Sequence, residues 1–180
     1  MSRTDTLLDA YRRHISLPWP RSAPGAARVV MVVYPPNAER EMRARMPEFR
    51  LVTEQASHHW SSVDLTNAFE SWIASHPYRE MYFDEPQLLD NASLDRFFDH
   101  VVTLVVEALH ASATEPEPVV AITGCGAMYG FAQISRLLRR IDGDVPGRVA
   151  VFFPGEKEGN NYRLLGARDG WNYMAVAITA

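Results

Sequence analysis

Disulfide chemistry has almost no material in this chain: among 180 residues there is one cysteine, Cys125. That excludes an internal disulfide framework and suits a reducing cytoplasm. Long apolar runs are missing too. None approaches the roughly 18–20 residues of a membrane span, so no membrane partner is expected. Arg3, Arg12 and Arg13 are followed by no apolar h-region, so a secretory leader is not expected. Catalytic signatures are equally sparse. No Gly-x-Ser-x-Gly nucleophile elbow occurs. No Gly-Lys-Ser/Thr supplies the lysine and hydroxyl with which a P-loop holds phosphates and magnesium. Cys125 sits at an expected helix start, where a thiolate is favoured. The six histidines lie on other, unrelated elements, so it lacks a base and reads as a small residue without a catalytic role. His58 and His59 with Asp64 match no recognised metal spacing. Asp84, Glu85 and Asp90 read as a solvated acidic loop. No catalytic residue, metal or cofactor is expected.

What is present is a soluble composition, 47% hydrophobic and 22% charged, at a length that suits one domain with a real core. The net charge of −4 hides a pattern. Residues 1–50 carry nine arginines against five acids, 51–120 two against twelve, and 121–180 seven bases against five acids. An acidic middle excludes a chain that simply coats nucleic acid. Direct DNA contact is left to one arginine set: Arg12, Arg13, Arg136, Arg139 and Arg140.

Hydrophobic spacing orders the elements. Residues 4–16 form a helix with Leu7, Leu8, Tyr11 and Ile15 on one side, and 21–27 form a linker. Residues 28–34 are a continuous apolar strand of the kind buried on both faces. Pro35 and Pro36 end it, and Asn37 caps a helix over 38–46. A second strand covers 59–65. Asn67 and Glu70 form a capping-box pattern for a helix through 74. Residues 78–89 are a loop or a broken helix. The longest helix covers 92–110. A strand follows at 119–123, a helix at 131–141, and a strand at 148–153 that ends in the turn Pro154-Gly155. Two short strands, 161–165 and 173–179, flank a turn at 166–170. This order indicates one α/β domain over 1–180, with 1–27 as N-terminal helix and linker. Its sheet is mostly parallel with an antiparallel C-terminal addition.

The segment 118–155 carries most of the functional information. Gly124, Gly126 and Gly130 follow a strand and open an expected helix, the context in which backbone amides hold an anion. Their spacing, Gly-x-Gly-x-x-x-Gly, is one residue off the dinucleotide fingerprint. The polar loop 156–163 is expected to face this glycine loop across the carboxyl edge of the sheet, where open α/β folds keep their sites. The candidate ligand-binding set is Gly124, Gly126, Tyr129, Gly130, Gly155, Asn161 and Arg163. The alternatives without a ligand are a tight strand-to-helix turn at 124–130 and an exposed solvated loop after Gly155.

The run from Pro118 through Thr123-Gly124-Cys125-Gly126-Ala127-Met128-Tyr129-Gly130 to Phe131 resembles a hallmark of the BrxB family, a component of BREX bacteriophage-exclusion systems. Leu137-Leu138, Phe152-Phe153-Pro154-Gly155, Arg163-Leu164-Leu165-Gly166, the aromatic stretch at Tyr173 and the strand exit Tyr34-Pro35-Pro36 extend the likeness. The helix start at Phe131, the loop after Gly155 and Cys125 depart from the family pattern, all at the candidate ligand edge. The resemblance implies a three-layer Rossmann-like sheet, P-loop-NTPase-like without Walker motifs. It also implies an intracellular defence role as a non-enzymatic accessory or scaffold subunit. The implied partners are a PglZ-like protein and other BREX components. A nucleotide- or phosphate-binding protein, or a degenerate nucleotide hydrolase using the loops 124–130 and 155–163, is the alternative.

Overall fold

The computed structural model describes residues 2–19, 22–170 and 174–180. Arg21 of the expected linker and Tyr173 of the expected last strand lie outside them. The described elements run α1 (Arg3–Ile15), β1 (Val29–Tyr34), α2 (Glu39–Gln55), β2 (Trp60–Asp64), α3 (Ala68–Ser75), α4 (Arg79–Asp84), α5 (Asn91–Ala111) and β3 (Val119–Thr123). They continue with α6 (Ile134–Arg140), β4 (Arg148–Glu158), β5 (Asn161–Leu164), β6 (Ala167–Gly170) and β7 (Val176–Ile178). Five strands form a parallel sheet in the order β2-β3-β4-β1-β7. The far end of β4 pairs antiparallel with β5, and β5 with β6. The mostly parallel sheet is therefore as the sequence implied, but the antiparallel addition is β5 and β6, while the last strand, β7, joins the parallel sheet beside β1.

Side chains of β1 alternate between two cores. Val29, Met31 and Val33 join the helices α3 to α6, while Val30, Val32 and Tyr34 join α1 and α2. Every residue of β1 is buried, which is why it reads as an unbroken apolar run. The α5 face, with Phe97, Val101, Val105 and Leu109 buried, covers one side of the sheet. Asp90 starts that helix by accepting a 2.8 Å hydrogen bond from the Ser93 amide.

Six local expectations are corrected. The helix after β1 does not stop at Met46 but runs through Pro47 to Gln55. An interior proline costs about 3 kcal/mol. Burial of Phe49 and Val52 offsets it at about 1.5–3 kcal/mol each. The Phe49 ring meets Tyr11 and Phe152 edge-on at 5.3 and 5.0 Å. Asn37 does not cap this helix, because a 3-10 turn over Pro36–Ala38 intervenes. Asn67 does stand at the start of α3, but its side chain makes no capping bond, so the expected box is not closed.

The glycine loop does not open directly into a helix. A 3-10 turn over Cys125–Met128 follows β3, and α6 begins only at Ile134. Pro154-Gly155 is no turn either. The parallel register of β4 with β1 ends at Tyr34↔Pro154, and antiparallel pairing with β5 begins at Gly155↔Leu164. The strand exchanges partners there rather than ending. A Cβ at Gly155 would collide with the Arg163 carbonyl, so glycine permits the close crossing. The expected turn at 166–170 is mostly β6. The turn itself is Leu165-Gly166, both with positive φ (50° and 89°), as a two-residue hairpin connection requires.

Candidate functional site

β1 leaves the sheet through α2 on one face, whereas β4 leads into β5, whose Tyr162 and Leu164 pack on the other. Neighbouring strands thus exit to opposite faces, which sets a topological switch point between the carboxyl ends of β1 and β4. A cleft of about 380 Å³ lies there, lined by Tyr34, Pro35, Gly155, Glu156, Lys157 and Thr179 among others. A second, of about 350 Å³, opens between the segment from Tyr129 to Arg136 and the hairpin residues Leu164 and Ala167.

A chain of polar contacts ties the strand ends together along this edge. The Tyr34 hydroxyl donates to Glu39 Oε2 at 2.6 Å. Arg43 donates from Nε to Glu39 Oε1 and from a terminal nitrogen to the Thr66 hydroxyl, each at 2.8 Å. The Thr66 amide, at 3.0 Å, and its hydroxyl both donate to Asp64 Oδ1. The Leu65 amide donates to the Thr123 carbonyl at 2.9 Å. Burial alone would raise the Asp64 carboxyl, but the Thr66 bonds, the Arg43 charge and Thr123 outweigh it and hold it below its ordinary value. Burial, and then the bond to Glu39, push the Tyr34 phenol far above its usual range. Asp64 is therefore an ionised acceptor and Tyr34 a fixed donor. Both are committed to neighbours rather than poised for proton transfer.

The candidate residues separate into distinct roles. Gly124 is left-handed (φ 72°), and a Cβ there would run into Asp64 and Thr66, so its first duty is this close approach. Gly126 has only ordinary space around it, with Pro154 Cγ at 3.5 Å from a Cβ position, and Gly130 (φ 80°) has none of its neighbours near. Tyr129 and Gly130 line the 350 Å³ cleft and Gly155 the other. Asn161 pairs with Glu158 across the hairpin. Arg163 donates from Nε and a terminal nitrogen to the Gly166 carbonyl at 3.2 and 2.9 Å, with Glu158 at 3.7 Å. Leu164 and Ala167, not Asn161 or Arg163, face Tyr129 across the cleft. It is therefore not the polar loop 156–163 but the apolar hairpin residues after it that line the cleft with the glycine loop.

Sequence reading missed the Tyr34–Glu39–Arg43–Thr66–Asp64 chain. Its one signal was Asp64 at a strand end beside the quoted Tyr34-Pro35-Pro36 exit. Cys125 is fully buried in the core. His58 lies at the opposite end of β2 from Asp64 and bonds the Ile15 carbonyl through Nε2 at 2.9 Å. No group of three or more metal-ligating side chains occurs among the described residues. The arginines considered for DNA do not form one surface. Arg12 and Arg13 are on α1, while Arg136, Arg139 and Arg140 are on α6 across the sheet. Arg136 is also engaged, 3.0 Å from Asp95 and 4.0 Å above the Phe98 ring.

No helix among the described residues is long and apolar enough to cross a membrane. No curated protein and no solved structure gives a significant match to the chain. The family described as BREX protein BrxB matches residues 62–178. That span runs from within β2 to the end of β7 and includes Asp64, the glycine loop, the partner exchange at Pro154-Gly155 and the hairpin. The chain accordingly belongs to the BrxB family and is a component of a BREX anti-phage system.

Proposed function

We propose that the chain is a non-enzymatic accessory subunit that works by protein–protein assembly, with a PglZ-like protein as its direct partner and other BREX components around them. The observation that carries this reading is an exposed apolar set around α4, from Tyr78 at its cap to Leu88 in the 3-10 turn after it. Tyr78 is 61% exposed and Phe83 60%, with Met81 and Leu88 also outward. Scattered surface apolars are ordinary, but exposed aromatic residues close together in one short stretch, interspersed with the exposed acids Glu80, Asp84 and Glu85, resemble interface anchors. Tyr129 and Phe131 add two more partly exposed rings at the glycine loop. Co-expression with the PglZ-like protein followed by size-exclusion chromatography tests the assembly. A co-eluting complex supports it, and separate elution from every system component overturns it.

The ligand-binding alternative keeps one supporting observation, the 350 Å³ cleft beside Tyr129 and Gly130. Under it, Gly124, Gly126, Tyr129, Gly130, Gly155, Asn161 and Arg163 would contribute to a phosphate-bearing small molecule's site, on a sheet of P-loop-NTPase-like kind. The strand order, with β1 central beside β4, supports that kinship. The β1–α2 connection Pro35-Pro36-Asn37-Ala38 has neither glycine nor lysine to cradle phosphate. Calorimetry against a nucleotide panel, with Gly126→Asp as control, decides it. An added side chain at Gly126 has room, so lost heat would report binding rather than unfolding. Absence of heat with wild-type protein counts against a ligand.

A further inference from the structure

The opposite, amino-terminal edge of the sheet holds a separate cavity of about 300 Å³, lined by Trp19, Arg28, Glu117, Pro118, Gly147 and Arg148 among others. Arg148 opens β4 and is 7% exposed. Buried guanidinium groups are ordinarily matched by a carboxylate, because an unpaired buried charge is strongly disfavoured. Among the described residues Arg148 has no such match. One terminal nitrogen stands 3.4 Å from His14 Nε2 and 3.5 Å from the His14 carbonyl. The guanidinium itself lies 4.2 Å above the Trp19 ring. Burial brings it down to about 10, against which the Tyr11 hydroxyl and Glu117 act only in part. Arg28, only half-buried, likewise makes no ion pair among the described residues and donates to the Val145 carbonyl at 2.7 Å.

The two carboxylates of the wall make no ion pair with either arginine. Glu117 is turned to His58, with Oε2 3.0 Å from Nδ1, and Glu115 to His59 at 3.6 Å. Glu117 holds this position from a left-handed backbone (φ 43°), a conformation that costs a non-glycine residue and persists where surroundings enforce it. Trp19 is held in turn, stacked on His58 at 4.1 Å. At Gly147 a Cβ would collide with the Pro118 carbonyl, so glycine permits the close approach of these two parts of the cavity wall. The result is a hollow lined by two guanidinium groups that make no ion pair among the described residues, with the nearer carboxylates turned toward His58 and His59.

We propose that this cavity binds a small anion, a carboxylate or phosphate group, through the forked donors of Arg148 with Arg28 at its side. Guanidinium forks match both groups bidentately. The site is distinct from the carboxyl-edge clefts and does not depend on the assembly reading above.

The test is titration of the full chain with inorganic phosphate and, separately, with succinate, at constant ionic strength against a chloride control. Binding is followed by calorimetry and by tryptophan fluorescence. Saturable binding of one or both probes is expected, and which one binds distinguishes the two anions. The fluorescence change should disappear in Trp19→Phe. Arg148→Met should weaken binding by about tenfold or more. If that variant does not fold, Arg28→Gln, at a less buried position, should weaken it in the same direction. Arg163→Gln, at the far edge, should bind as wild type. No saturable binding of either probe, or undiminished binding in the folded arginine variant, overturns the proposal.

Discussion

Gly124 and Asp64 are built against each other: the left-handed glycine at the end of β3 leaves no room for a Cβ beside the Asp64 carboxylate and the Thr66 amide. The glycine loop is therefore part of the sheet's carboxyl edge before it is anything else. Gly124→Ala combines left-handed strain of about 1–2 kcal/mol with overpacking of about 1–3 kcal/mol. The expected loss in urea unfolding is about 2–4 kcal/mol. Gly130→Ala, equally left-handed but with open space around it, should lose only the strain part. Equal losses at the two positions would refute this role for Gly124.

Pro47 interrupts the backbone ladder of α2 without ending it. Pro47→Ala restores a donor and removes the ring's crowding of the preceding turn, while the unfolded chain gains freedom worth about 0.4–1 kcal/mol. A net gain of about 1–2 kcal/mol in denaturant unfolding is expected. Phe49→Ala, which empties the site between Tyr11 and Phe152, should cost about 3–5 kcal/mol. A destabilised Pro47→Ala would show that the helix needs its proline.

His14 gives the fold a pH dependence near neutrality. Burial, and then the Arg148 charge, hold its imidazole below the ordinary 6.5. The unfolded chain binds that proton more readily, so this contribution is intact above about pH 6.5 and is lost as pH falls below it. Asp64, also held low, loses its contribution only further down, through the carboxylate range. His14→Gln should flatten the decline that begins just below 6.5 and leave the more acidic limb in place. Melting curves across this range check it, and an unchanged profile would contradict it.

Much of the architecture was legible because each strand carries its own signature. β1, β3 and β4 are apolar runs too dense for one buried face, and α5 keeps helical spacing over its whole length. The errors arose where tertiary burial overrode a local breaker. Pro47 sits inside a helix because Phe49 and Val52 are anchored, and Pro154-Gly155 stays in a strand because β5 takes over pairing from β1. The candidate site was legible only in part. Glycine spacing marks the loop but not its neighbours, and Gly124 is explained by Asp64 and Thr66, sixty residues earlier. The unpaired Arg148 is invisible in sequence, since a lone arginine at a strand start is usually solvated.

Assembly through the α4 surface is the central claim, and a binding measurement with the PglZ-like protein tests it most directly. Calorimetry would compare the wild-type chain with Tyr78→Ser/Phe83→Ser, substitutions at exposed positions that leave the core intact. The expected result is a saturable complex, weakened about thirtyfold or more in the double variant, as for loss of an aromatic anchor worth about 2 kcal/mol. Equal affinity of the two proteins, or no complex with the wild-type chain, would contradict it.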